Sequence, residues 1–208
     1  MKLSFSTKGW KGDSFRHFCD TAAELGFAGI ELYDLHADNF ADKYSPANPV
    51  MAAAIRRDLM ERKLSLSCLD CVGNPADPTA QEAVSQEISE CVRTAANLNI
   101  PYVRLRAAQV ADQAADDAAV ISCLTRALPE AERAGVVLLL ETAGIYANTA
   151  RLRDILNHFA CDFLAALWDL NHPYRENGES PETTIQNLGA YTKHVHIKDS
   201  ELVDGRVE

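Results

Sequence analysis

A chain of 208 residues with 47% hydrophobic and 24% charged residues can bury the core of one large domain, which sets disorder aside. Its formal net charge of -10 and pI near 5.0 argue against a nucleic-acid partner, because affinity for a phosphate backbone depends on clustered Lys and Arg releasing counterions. No apolar run approaches the roughly 18 residues of a membrane span, and residues 1–8 lack the apolar stretch of a secretory signal, so a cytoplasmic location is expected.

In chain order, short apolar runs alternate with segments of helical period. Residues 2–6 predict a first strand, and Trp10 in the loop behind it reads either as a surface for a substrate's apolar face or as a lid over the mouth of the fold. Asp13 or Ser14 caps a helix over 14–25, and Gly26 closes it in a left-handed turn. Residues 28–32 form the second strand, where Glu31 either lines a pocket or pairs with Arg106. A helix over 49–62 leads to a strand over 64–69. Cys68 and Cys71 there make a C-x-x-C without a second pair, for which a redox or zinc role is the lesser reading, and the six cysteines, mostly within apolar patterns, read as small buried hydrophobes.

A helix over 79–98 precedes the fourth strand, 102–107, on which Arg104 and Arg106 share a face. Arg106 can bind a hydroxyl, carboxylate or phosphate, or it can pair structurally with a neighbouring carboxylate. The remaining expected elements are a helix over 116–134 ended by Gly135, a strand over 136–142, a helix over 149–159 begun by Asn148 or Thr149, a strand over 164–170, a helix over 181–191 opened by Ser180 and Pro181, and a strand over 194–198.

Strict alternation of strand and helix implies parallel strands with right-handed crossovers. No G-x-G-x-x-G follows the first strand, which removes the usual dinucleotide-binding open sheet. Seven units of a (β/α)8 barrel are therefore expected, in one domain over 1–208. Barrels of this kind need about 250 residues. The sequence thus reads as a piece of a longer chain, or as one whose barrel another segment or subunit closes, and the tail after Asp199 reads as a loop.

The chemistry sits at three strand ends. Glu141, Asp169 and His196 each follow an apolar run and stand 28 and 27 positions apart, the spacing of successive strand-helix units. At the carboxyl ends of neighbouring strands they can meet around one metal, and a carboxylate there is costly to bury without a partner. The other reading for Glu141 and Asp169 is a salt bridge at the rim. An oxygen-and-nitrogen set without thiolate suits Mn2+, Mg2+, Co2+ or Zn2+. His172, in the loop after Asp169, either donates to a substrate oxygen or is an exposed loop histidine.

These pieces, Gly26-Phe27-Ala28-Gly29-Ile30-Glu31-Leu32, Leu140-Glu141, Leu167-Trp168-Asp169-Leu170-Asn171-His172-Pro173 and His194-Val195-His196-Ile197-Lys198-Asp199-Ser200, resemble the xylose isomerase-like barrel superfamily of sugar epimerases, isomerases and dehydratases. The resemblance implies that Glu141, Asp169 and His196 bind a divalent metal, Mn2+ first, and that His172 contacts substrate. It also implies that Glu141 acts as base in proton abstraction beside a carbonyl, with a further glutamate from an eighth strand as fourth ligand and second base. The expected function is a metal-dependent sugar or polyol isomerase or epimerase with a small sugar-like substrate; a related dehydratase and a non-catalytic carbohydrate-binding barrel are the alternatives, and a homo-oligomer stays open.

Overall fold

Seven parallel strands form one sheet in sequential order, each joined to the next through helix on the outside. They are β1 (Ser4–Ser6), β2 (Gly29–Tyr33), β3 (Ser65–Asp70), β4 (Tyr102–Leu105), β5 (Val137–Glu141), β6 (Leu164–Asp169) and β7 (Thr192–His196). The helices are α1 (Phe15–Glu24), α2 (Ala52–Glu61), α3 (Gln81–Leu98), α4 (Gln113–Ala134), α5 (Thr149–Phe159), α6 (His172–Asn177) and α7 (Pro181–Leu188). The computed structural model describes residues 2–10 and 12–198 and the backbone of 202–203 and 206–207. Among the described residues no eighth parallel strand extends the sheet; β8 (Leu202–Val203) and β9 (Arg206–Val207) pair antiparallel with each other, and the rest of the expected tail loop lies outside the described residues. No helix among the described residues is long and apolar enough to cross a membrane.

The sheet curls into a half-barrel, so that side chains of β2 and β7 meet across its interior although four strands separate them. Two apolar layers hold this shape. Between sheet and helices runs the main core, with Phe18, Ile30, Ile55, Ile88, Leu105, Leu124 and Leu138 fully buried. Inside the curl lies a smaller cluster of Leu139, Ala165 and Leu167, against which Tyr102 and Val137 pack. Alternation fixes which residue does what: Leu139 and Glu141 share the inner face of β5, and Leu167 and Asp169 that of β6. The polar strand ends therefore stand directly on an apolar floor.

Local signals set most boundaries. Ser14 accepts from the His17 amide and Asn148 from the Arg151 amide, starting α1 and α5 as side-chain caps. Gly26 (φ 74°) and Gly135 (φ 68°) supply the left-handed residue past α1 and α4. Helix α4 begins three residues before the expected start, because Asp112 caps it while Asp116 inside the first turn accepts from the Val110 and Ala111 amides. Strand β4 ends at Leu105 rather than 107, since the Ala107 carbonyl accepts from the Ile145 amide outside the ladder. Strand β7 runs two residues earlier than expected at both ends, with a register shift between Ala166 and Leu167 on its partner.

Candidate functional site

A cavity of about 1060 Å³ runs along the open side of the curl to the carboxyl ends of the strands, lined by both edge strands, β1 and β7, and by Glu31, Arg104, Arg106, Glu141, Asp169 and His172. Its floor is strongly charged. Asp70, Arg104, Glu141, Asp169 and Glu31 are all under 7% exposed, so every charge needs a partner within reach. Arg104 supplies two of these pairings, donating to Asp70 and, at 2.7 Å, to Glu141. Three neighbouring strands are thereby joined by one guanidinium. Among the described residues the Asp70 Oδ1 and the Arg104 Nε have no hydrogen-bond partner.

Glu141 also faces His196, whose Nδ1 lies 3.4 Å from its Oε1, and Arg106 at 4.0 Å. Burial works against ionising Glu141, but the hydrogen bond from His196 and the Arg104 guanidinium outweigh it and hold its pKa at about 2. His196 bridges two carboxylates, because its Nε2 reaches Glu31 at 2.7 Å, with His194 Nε2 at 3.3 Å from the same oxygen. Burial lowers the His196 pKa, yet Glu141 and Glu31 prevail and push it up to about 9. Desolvation would raise Glu31 as well; the two imidazoles instead hold it far below the usual carboxylate range. Of the two readings of Glu31 the structure gives the pocket-lining one, and its partners are His194 and His196 rather than Arg106.

Asp169 is positioned by its own turn. Its Oδ1 accepts from the Asn171 amide at 2.9 Å and the His172 amide at 3.2 Å, and its backbone amide donates to the Thr142 hydroxyl at 2.9 Å. The second oxygen, Oδ2, faces the cavity and meets Lys198 Nζ at 3.2 Å and His172 Nε2 at 3.5 Å. His172 is not in a loop as expected: it is the first residue of α6, with Pro173 behind it and Gly178 (φ 63°) ending the helix. Glu176, one turn on, binds its Nδ1.

One donor atom each from Glu141, Asp169 and His172 lies within 4.8 Å of the others, and so do those of Glu31, His194 and His196. The expected set Glu141, Asp169 and His196 thus comes together in parts. Its strand ends are adjacent, with Asp169 level with His196 in the ladder, but Glu31 draws His196 across the curl while His172 turns toward the two carboxylates. A cation fits the space between them. An ammonium, that of Lys198, is already held by Asp169 and by His172 Nε2 at 2.8 Å, and the oxygen-and-nitrogen donors suit a hard or borderline divalent ion. None of the described residues after His196 is a glutamate. Trp10 faces Phe5 (5.3 Å between ring centres) and Phe18 (6.4 Å) and takes no part in lining the cavity.

Residues Asp70, Arg104, His194 and Lys198 complete this network beyond the residues expected to form the site. A signal existed for some: Arg104 shares its strand face with Arg106, and His194 and Lys198 share theirs with His196.

The family model described as xylose isomerase-like TIM barrel matches residues 19–207. Among solved structures, a 3-keto-D-glucoside 4-epimerase from E. coli is similar with a TM-score of 0.78 and 16% identity, over 96% of this chain and 79% of that one. A probable 3-DHS dehydratase of petrobactin synthesis from Bacillus anthracis gives 0.78 and 19%, over 99% and 75%. A D-psicose 3-epimerase from Clostridium cellulolyticum H10 gives 0.73 and 15%, over 94% and 72%. None of the curated proteins matches the chain in sequence.

Proposed function

The chain belongs to the xylose isomerase-like TIM barrel family, and from that premise we propose that it is a divalent-metal-dependent sugar or polyol isomerase or epimerase that removes a proton beside a carbonyl. The observation that carries this reading is the pair of buried carboxylates, Glu141 and Asp169, converging with His172 on the wall of an open cavity. Glu141, Asp169 and His196, with His172 beside them, would hold the ion, Mn2+ being the first choice ahead of Mg2+, Co2+ or Zn2+. When bound it supplies positive charge against which negative charge on the substrate oxygens can develop.

The residues divide the remaining work. Glu141 is ionised at neutral pH and serves as the base that takes the proton from carbon. Arg104 fixes its orientation through the 2.7 Å hydrogen bond. Arg106, half-exposed and 4.0 Å from Glu141, is placed to bind a substrate hydroxyl or carboxylate. His172 presents Nε2 to the cavity and uses its Nδ1–H to bind Glu176, so its ring stays oriented with Nε2 as the acceptor, free to take a hydrogen bond from a substrate hydroxyl once Lys198 withdraws. Lys198 must give up Asp169 for a cation to take its place.

A dehydratase shares the first step, proton removal next to a carbonyl, and the fold's likeness to a probable dehydratase supports keeping that variant. Deuterium wash-in tests the common step. With Mn2+ and a panel of ketopentoses and ketohexoses in D2O, the chain is expected to exchange the hydrogen beside the carbonyl, and Glu141→Gln to slow exchange about 10²–10⁴-fold. Exchange at the wild-type rate in Glu141→Gln would remove Glu141 as base. Sugar binding without any exchange would favour a carbohydrate-binding barrel instead.

A further inference from the structure

Strand β3 ends in residues that face opposite ways. Asp70 turns into the barrel to Arg104, whereas Cys71 turns outward to α3. The C-x-x-C of Cys68 and Cys71 is therefore not a pair: Cys68 lies near Glu31 and Asp70, and the partners of Cys71 are Cys91 and Glu87 on α3. One donor atom from each of Cys71, Cys91 and Glu87 lies within 4.8 Å of the other two.

This cluster differs from an ordinary buried thiol. Cys19, Cys68 and Cys123 are also buried, but among the described residues none belongs to such a group of three donors. Glu87 and Cys91 are one helical turn apart, so they project side by side toward β3. The carboxylate is fixed by the backbone that follows Cys71: Glu87 Oε1 accepts from the Val72 amide at 2.7 Å, and a Cβ on Gly73 would stand 2.7 Å from Oε2. Glycine thus allows the chain to wrap the carboxylate and hold it beside two thiols that are each 2% exposed. Without a cation the Cys71 thiol keeps its proton, which a metal would have to displace. The Cys91 thiol, burial and the Glu87 carboxylate all push the Cys71 thiol above its ordinary range.

We propose that Cys71, Cys91 and Glu87 form a second metal site, for a thiophilic divalent cation of the Zn2+ type, that clips the loop after β3 to α3. A tetrahedral zinc ion with bonds of about 2.3 Å to sulfur and 2.0–2.2 Å to oxygen sets its donors roughly 3.5–3.8 Å apart, inside the 4.8 Å within which these three donors already lie. Binding forms two metal–sulfur bonds and one metal–oxygen bond, breaks both S–H bonds and sends two protons to solvent. No electron is transferred, and water takes the fourth position on the half-buried Glu87 side. The donor chemistry separates this site from the cavity, since thiolates select Zn2+ whereas carboxylates and imidazole also accept Mn2+ and Mg2+.

Cobalt is the probe, because a thiolate-bound Co2+ absorbs in the near ultraviolet and a carboxylate- or imidazole-bound one does not. Titrating the reduced full chain with Co2+ is expected to give this band in the wild type and in Asp169→Asn alike, and Zn2+ should bleach it. Cys91→Ser is expected to abolish the band, and Glu87→Gln to weaken the affinity about tenfold or more. If Cys91→Ser does not fold by circular dichroism, Glu87→Gln at its half-buried position carries the test. No band in the folded, reduced wild type, a band surviving in folded Cys91→Ser, or unchanged affinity in Glu87→Gln would overturn the site.

Discussion

Replacing Arg104 by methionine is expected to cost the metal-free chain about 3–5 kcal/mol at pH values well above 7, where Asp70 as well as Glu141 is ionised, as removal of one partner from a buried ion pair does elsewhere. The guanidinium is 6% exposed and touches both Asp70 and Glu141, themselves 2% and 1% exposed. Methionine fills similar volume but leaves both carboxylates facing an uncharged neighbour. Glu141 keeps His196 at 3.4 Å, so most of the loss should fall on Asp70. Burial already pushes Asp70 up to about 7, with Arg104 pulling the other way, so removing Arg104 raises it further.

The sign of the pH dependence follows from that. A carboxylate whose folded pKa lies above its unfolded value of 3.8 weakens the fold as pH climbs from that value toward the folded one. The deficit of Arg104→Met should therefore be largest above pH 7 and shrink toward pH 4. Urea unfolding at several pH values measures it, and a loss below about 1 kcal/mol, or one independent of pH, would show that the guanidinium does not hold these carboxylates. Arg106→Met is the contrast. Its side chain is 47% exposed and 4.0 Å from Glu141, so less than about 1 kcal/mol is expected.

Asp169→Asn is expected to abolish turnover and to weaken Mn2+ binding at the cavity about 100-fold or more. Asparagine keeps an oxygen for the Asn171 and His172 amides, so the turn into α6 survives, while the oxygen that faces Lys198 loses its charge. In the wild type, affinity should climb as pH rises from 7 toward 9. His196 holds its proton up to about 9, because Glu141 and Glu31 outweigh its burial, and a metal that takes this imidazole must displace that proton. Calorimetric titration across this range reads both effects. Unchanged affinity in Asp169→Asn would sink the metal assignment, and a flat pH profile would place the imidazole contribution on His172 rather than on His196.

The fold was legible because its signals are local. Apolar runs ending in Glu141, Asp169 and His196, separated by helical segments with recognisable caps, specify parallel strands in sequential order and put those three ends side by side. What stayed hidden depends on curvature. Glu31 lies 165 residues from His196 in sequence, and only the curl of the sheet brings their side chains to 2.7 Å. The bond from Arg104 to Asp70 likewise requires the register of β3 against β4, where these two residues are direct partners. Helix α6 was missed although Pro173 and Gly178 mark its ends, because six residues are too few to show a period. Cys71 looked like half of a C-x-x-C, yet alternation along β3 points its side chain at α3 and not at that of Cys68.

Under the proposed function the strand ends of β5, β6 and β7 hold a catalytic divalent metal. A crystal of the full chain grown with Mn2+, measured at a wavelength where manganese scatters anomalously, tests it most directly. The expected result is one strong peak coordinated by Glu141 and Asp169, with His196 or His172 completing the donors and Lys198 displaced from Asp169. An ordered cavity with no such peak and with Lys198 still bonded to Asp169 would contradict it.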